Sequence, residues 1–391
     1  MMRTNRTLFP LGVAILLLLS QIACGDAPYL APDVPLLLPA STTTPTLPSP
    51  PIPAPSNTAT SIPAPPDTPT PRPEPTEALP TDFYVWVIED TDPDWEDPPF
   101  DDTLTIIDVH GSVVHTGSGF HVLGGFGGGR PIAVFPDGSS ALVVEGGSIS
   151  ARLYPDLPAT VTRLDLSGTA IWSVELAANA ADLSSSGDAY VLTDAGNIHG
   201  DSILLLDPED GSIIREEDFG GIDLVVDDTH DAVWIVGSDI DKLNLNLEHQ
   251  FTTDPIEWAA FSVDFSSDGS VWVGEGEHPD VPGSARNLLK ISPDGETLQT
   301  IPLEGRPYCI AVDRSDDSVW VATHQGAQKF DQNGSSILII DDPARCVRVS
   351  QRDGSVWVAF FHGTVVRYSR DGIELATTSG FQNDDKWIDV P

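Results

Sequence analysis

The chain has 391 residues, with 59 Asp and Glu against 19 Lys and Arg, which sets a formal net charge of −40. Such an excess excludes nucleic acid or a polyphosphate held by generic basic charge, because that binding needs Lys and Arg to displace counterions. Only three cysteines are present, too few for the disulfide framework of a small secreted scaffold, so stability has to come from an ordinary apolar core.

Residues 1–23 have the order of an export signal: Arg3 and Arg6, then an apolar stretch from Leu8 to Leu19, then small or polar residues up to Cys24. Pro10 and Gln21 bracket that stretch and leave it short of the roughly 18 to 20 apolar residues a spanning helix needs. The ending Ser20-Gln21-Ile22-Ala23-Cys24-Gly25 resembles the lipobox of bacterial lipoproteins, with Gln21 where Leu is usual. That resemblance implies lipidation of Cys24 and an extracytoplasmic protein held at the cell membrane by several acyl chains, enough for stable anchoring.

Residues 24–81 change character. From Ala27 to Thr81, 18 of 55 residues are Pro, most of the others are Thr, Ser and Ala, and Gly is absent. Such a segment cannot bury a core. Its prolines favour an extended conformation of about 3.1 Å per residue, a reach of at most roughly 170 Å. A Pro/Thr-rich disordered stalk is expected here, with the folded domain over 82–391.

Seven short apolar strands, most with an aromatic residue second, recur through that domain. They are Val85-Trp86-Val87, Ala141-Leu142-Val143, Ala189-Tyr190-Val191, Val233-Trp234-Ile235, Val271-Trp272-Val273, Val319-Trp320-Val321 and Val356-Trp357-Val358. An apolar strand and an Asp-rich turn precede most copies, and another strand, turn and strand follow. The unit of four strands is the period of a propeller blade, and no stretch shows sustained helical periodicity. The chain opens on a second-strand sequence, Phe83-Tyr84-Val85-Trp86, and closes on what reads as a first strand, Lys386-Trp387-Ile388-Asp389-Val390. An all-β propeller of seven four-stranded blades is therefore expected, closed by pairing the C-terminal strand with the N-terminal blade, with six blades as the rival count. The tryptophans are expected to pack between blades. Cys309 and Cys346 hold equivalent places on adjacent inner strands, which favours buried thiols over a disulfide.

The copy from Gly305 to Gly334 in particular resembles the repeats of the NHL, two-component-regulator and streptogramin lyase propellers. In that geometry the second strands end on the face where the first strands begin. Glu89, Glu145 and Glu275 stand four residues after their repeat starts and match the Glu of the Trp-Phe-Thr-Glu ending in streptogramin lyase repeats, although no copy reads that ending in full. The resemblance implies a divalent metal, Mg or Ca, on these glutamates, with His278 and His324 as acid-base groups. Arg130, Arg306 and Arg345, with Trp258, Tyr308 and Trp387, stand at the starts of first strands and are candidates to receive an anionic ligand group. The acidic run from Asp90 to Asp102 has calcium-loop spacing, but Trp95 stands where an EF-hand needs Gly, leaving a looser calcium site or a solvated insertion.

Two functions follow as expectations. The first is a monomeric, surface-anchored, extracytoplasmic propeller that binds a partner protein or a carbohydrate on one face and is not an enzyme. The alternative is a metal-dependent lyase or lactonase of the streptogramin lyase type.

Overall fold

The computed structural model describes residues 83–90, 102–120, 129–145, 159–193, 202–253, 260–276, 286–381 and 386–391. The chain divides into two units, Met1–Pro73 and Glu74–Pro391, and every described residue belongs to the second. The export signal, Cys24, the Pro-rich stretch, residues 91–101, Trp258 and His278 lie outside the described residues.

Among the described residues there are seven four-stranded antiparallel sheets and no helix. Blade 1 contains β1 (Tyr84–Glu89), β2 (Asp102–Asp108) and β3 (Val113–Phe120). Blade 2 runs through β4 (Ile132–Val134), β5 (Ser140–Glu145), β6 (Thr160–Asp165) and β7 (Ala170–Glu175). Blade 3 is β8 (Ala178–Leu183), β9 (Ala189–Thr193), β10 (Ser202–Leu206) and β11 (Ile213–Glu217). Blade 4 is β12 (Asp223–Asp227), β13 (Ala232–Val236), β14 (Ile240–Leu243) and β15 (His249–Thr252). Blade 5 is β16 (Ala260–Phe265), β17 (Val271–Glu275), β18 (Asn287–Ile291) and β19 (Thr297–Pro302). Blade 6 is β20 (Pro307–Asp313), β21 (Ser318–Thr323), β22 (Gly326–Phe330) and β23 (Ser336–Ile340). Blade 7 is β24 (Ala344–Val349), β25 (Val356–Phe360), β26 (Thr364–Tyr368) and β27 (Glu374–Ser379). The last strand, β28 (Lys386–Asp389), pairs with β1 in the register Val87↔Ile388 and so supplies the missing inner strand of blade 1. The fold is the seven-bladed propeller expected from the repeats, with the expected closure.

The repeat aromatics hold the blades together. Trp86, Trp234, Trp272, Trp320 and Trp357 are fully buried, each in an apolar cluster shared with the following blade, and Leu142 and Tyr190 fill the same position in blades 2 and 3. None of the five indole N–H groups finds a hydrogen-bond partner, so these rings serve as volume. Opposite four of them on the third strand stands a buried cation: Lys242, Lys290, Lys329 or Arg367. Lys242, Lys329 and Arg367 reach on to a carbonyl of the next blade, at Pro293, Arg370 and Val109, as does Arg163 of blade 2 to Pro208. Much of the scarce basic charge is thus spent on blade stacking.

The turns account for part of the acidic excess. At or just beyond the end of every third strand stands Asp108, Asp165, Asp207, Asn244, Ser292, Asp331 or Ser369, whose side chain accepts from backbone N–H groups two or four residues on. Glycine is required where such turns meet a neighbour. Gly295 has φ +88°, and a Cβ there would lie 2.6 Å from the Phe251 ring. In blade 4 the same left-handed conformation is imposed on Leu247, at φ 60°, held by burial of its side chain.

Closure by β28 generates a prediction. Deleting residues 386–391 leaves an open edge along β1 and opens the two apolar clusters to which Trp387 and Ile388 belong. The truncated chain is expected to lose its single cooperative urea transition or to aggregate, as read by chromatography. An unchanged midpoint and elution volume would show that the ring does not depend on β28.

Candidate functional site

The second strands end, and the first strands begin, on one face of the ring, here called the loop face. The turns joining first to second strands and third to fourth strands form the opposite, turn face. Four inner strands start with the same irregularity. Register shifts between Ala260 and Ser262, between Pro307 and Cys309, and between Ala344 and Cys346 leave Phe261, Tyr308 and Arg345 outside their ladders. Asn179 is displaced in the same way in blade 3. A bulge re-aims the side chain it releases, and the released side chains meet. The Arg306 guanidinium lies 4.4 Å from the Phe261 ring centre and 5.7 Å from that of Tyr308. Arg345 lies 5.1 Å from Tyr308 and 5.0 Å from Trp387.

The result is a series of five alternating rings and guanidiniums, Phe261, Arg306, Tyr308, Arg345 and Trp387, crossing blades 5, 6, 7 and 1. Tyr308 also meets Phe361 at 5.5 Å and His324 at 6.4 Å, both edge-on. Arg345 and Trp387 are buried, Arg306, Tyr308 and Phe361 are half-buried, and His324 is exposed. Each cation-ring contact is worth about 0.5 to 2 kcal/mol, more where water is excluded. Gly305 lets the chain approach blade 6 closely, since a Cβ there would lie 2.9 Å from the Thr323 side chain. A guanidinium stacked on rings combines flat apolar surface with in-plane donors, a combination suited to carboxylates and sugar rings.

Of the residues singled out in the sequence, the structure brings together Arg306, Tyr308, Arg345, Trp387 and His324. Arg130 stands apart, deep in the central channel. Glu89, Glu145 and Glu275 end the second strands of blades 1, 2 and 5. Glu145 accepts from Thr160 at 3.0 Å and Glu275 from Asn287 Nδ2 at 2.6 Å, both partners being on third strands. Among the described residues no three or more His, Cys, Asp or Glu side chains form a group that could hold a metal ion. Cys309 and Cys346 are free and buried.

The channel holds a set of residues that the repeat analysis missed. Inner-strand side chains accept from the backbone of the following blade: Asp389 from Val134 N–H (2.7 Å), Asp182 from Val226 (2.8 Å), Asp223 from Val263 (3.1 Å), Asp264 from Val312 (2.8 Å) and Cys309 from Val347 (3.3 Å). Between blades 2 and 3 the acceptor is the Arg130 carbonyl, which takes the Ala181 N–H. Between blades 7 and 1, Arg348 Nε donates to Asp389 at 3.3 Å. Asp182, Asp264 and Asp389 all stand opposite the repeat aromatic of their blade. The first two lie eight residues before that aromatic in sequence, a signal that could have found them, whereas ring closure hides the third.

Burial pushes the Asp223 carboxyl up to about 7 against the pull of Arg130 and Arg348, and Asp389 up to about 6 against that of Arg348. Asp182 is raised as well, again by burial. Burial and Arg348 both oppose the Arg130 charge, but Asp182, Asp223 and Asp264 outweigh them and hold it above its ordinary value. Asp223 therefore binds its proton more tightly folded than unfolded. The stability it contributes is full at acid pH below its ordinary value and is lost as pH rises through about 7. Asp389 and Asp182 act in the same direction. The chain should be less stable at about pH 8 than at about pH 5 on this account, and Asp223→Asn should shrink that difference. Urea denaturation at both pH values tests it, and an identical difference in the two proteins would show that Asp223 is ionised throughout.

No protein-family model matches the chain, and no curated protein matches it either. Among solved structures, the chain is similar to the crystal structure of BamB from Moraxella catarrhalis, at 15% identity and a TM-score of 0.45, over 72% of this chain and 83% of that one. So distant a likeness carries no argument about activity. The assignment that stands is architectural: by its own strand order and pairing, the chain is a seven-bladed β-propeller closed by its C-terminal strand.

Proposed function

We propose that this protein is an extracytoplasmic, lipid-anchored propeller of the NHL and streptogramin lyase type that binds a partner protein or a carbohydrate on its loop face. Binding is its role, and it acts as a monomer. The observation that carries the reading is the series Phe261, Arg306, Tyr308, Arg345 and Trp387, of which Phe261, Tyr308 and Arg345 are released by bulges. Bulges recurring at one level of three adjacent blades cost ladder hydrogen bonds, and what they achieve is the convergence of these side chains at the channel mouth. Phe83 and Pro391 both lie against the Gly138 turn, so the first and last described residues of the ring meet on the turn face.

Two experiments test the two halves of the proposal. Cys24→Ala should release the protein into the medium or stall its maturation, whereas unchanged membrane association with no acyl mass on the wild type would defeat the anchor. For the face, the purified full chain is screened against acidic and neutral glycans and by crosslinking in envelope extracts. Tyr308→Ala and Arg345→Gln should each weaken capture about tenfold, the scale of one or two lost contacts of this type. Asp331→Asn on the turn face should not. Equal capture by all variants would rule out the loop face.

A further inference from the structure

The far end of the channel holds a second candidate site, independent of the loop-face reading. A cavity of about 350 Å³ opens on the turn face, lined at its depth by Arg130, Asp182, Asp264, Arg348 and Asp389 and at its mouth by Ser185, Arg314 and Arg352, among others. Its size is within the range of small-molecule sites. Four of the chain's 19 basic residues line this one space.

The wall's hydrogen-bonding capacity is uneven. The carboxylates are already engaged: Asp182, Asp264 and Asp389 each accept a backbone N–H of the next blade, as does Asp223 just behind the wall, and Asp228 accepts the Ser185 N–H. The guanidiniums are not fully used. Arg130 is 8% exposed, and only its Nη2 donates a hydrogen bond, to Val263 O; its buried Nε forms an ion pair with Asp223 at 3.7 Å but no hydrogen bond, and its Nη1 comes no nearer than 3.6 Å to Asp182. Arg348, also 8% exposed, donates through Nε to Asp389 and through Nη1 to Cys309 Sγ, Ile310 O and Val347 O, but its Nη2 makes no hydrogen bond to the described residues. The two cations are close enough to disfavour each other's charge. Arg130 Nη1 and Arg348 Nη2 thus keep donor capacity at the wall of one cavity, an arrangement suited to an acceptor carrying negative charge.

We propose that the turn-face cavity binds a small oxyanion, a carboxylate or phosphate group on a compact ligand, between Arg130 and Arg348. The acidic surface does not preclude this. Repulsion from charges beyond about 8 Å is largely screened at physiological ionic strength, whereas the two guanidiniums act at contact distance. Arg314 stacks on Phe265 at 3.6 Å and Arg352 donates to the Pro136 carbonyl, so both are fixed at the mouth where an incoming anion passes.

The test uses the full chain with inorganic phosphate and with succinate as separate probes, each exchanged for chloride at constant ionic strength, with calorimetry and thermal shift as readouts. A saturable, stabilising interaction with at least one probe is expected, and comparing the two separates a phosphate from a carboxylate head group. Arg130→Gln should weaken it about tenfold or more, the loss of a charge-assisted hydrogen bond. Ser185→Trp, which obstructs the mouth without touching either guanidinium, should weaken it as well and serves if the Arg130 variant fails to fold. Arg306→Gln on the loop face should leave it unchanged. Absence of saturation with both probes, or equal binding by wild type and Ser185→Trp, would overturn the proposal and leave the loop-face reading untouched.

Discussion

Each blade turns the free edge of its first strand towards the channel, and the N–H groups along that edge need acceptors. A buried amide without one costs as much as a lost hydrogen bond. In this chain the acceptor comes from the preceding blade, and in four junctions it is a carboxylate: Asp389, Asp182, Asp223 or Asp264. Most of the channel chemistry follows from that choice. Carboxylates crowded into a narrow, poorly solvated space have to be neutralised, by retained protons or by cations. Asp223 and Asp389 do the first in part, and Arg130 and Arg348 supply the second. The polar turn-face cavity is thus a by-product of satisfying strand edges, and three of the same strands release Phe261, Tyr308 and Arg345 at the other end by bulging against their second strands.

The blades were legible in the sequence because they depend on volume. One large apolar side chain per unit, at a fixed place in the second strand, is a pattern that survives loop-length variation, and Leu142 and Tyr190 keep it where Trp is absent. Part of the loop-face cluster was legible for a related reason. Arg306, Tyr308, Arg345 and Trp387 sit at the starts of first strands, and topology alone sends those starts to one face.

What the sequence does not reveal is the bulge. A one-residue slip decides whether Tyr308 lies in the ladder or against Arg345, and nothing in Pro307-Tyr308-Cys309 announces it. Arg130 occupies the same kind of position as Arg345, yet it turns into the channel, where Asp182 and Asp223 draw it. Part of the acidic excess has a structural use that the sequence does not announce. Asp108, Asp165, Asp207 and Asp331 are engaged in turn geometry, and Glu145 and Glu275 accept from the third strands of their own blades. Charge in a repeat protein is multiplied by the repeat, so a modest local need becomes a large total.

The closure of blade 1 also sets how the ring responds to load. β1 is the first strand of the folded unit, yet it lies inside its sheet, paired with β2 along one edge and with β28 along the other. A pull on the residues ahead of Phe83 is therefore received by two ladders at once, and both have to break before the strand can leave. A first strand at the rim would be held along one edge only. Tension from the N-terminal side thus enters the fold at a strand held along both edges.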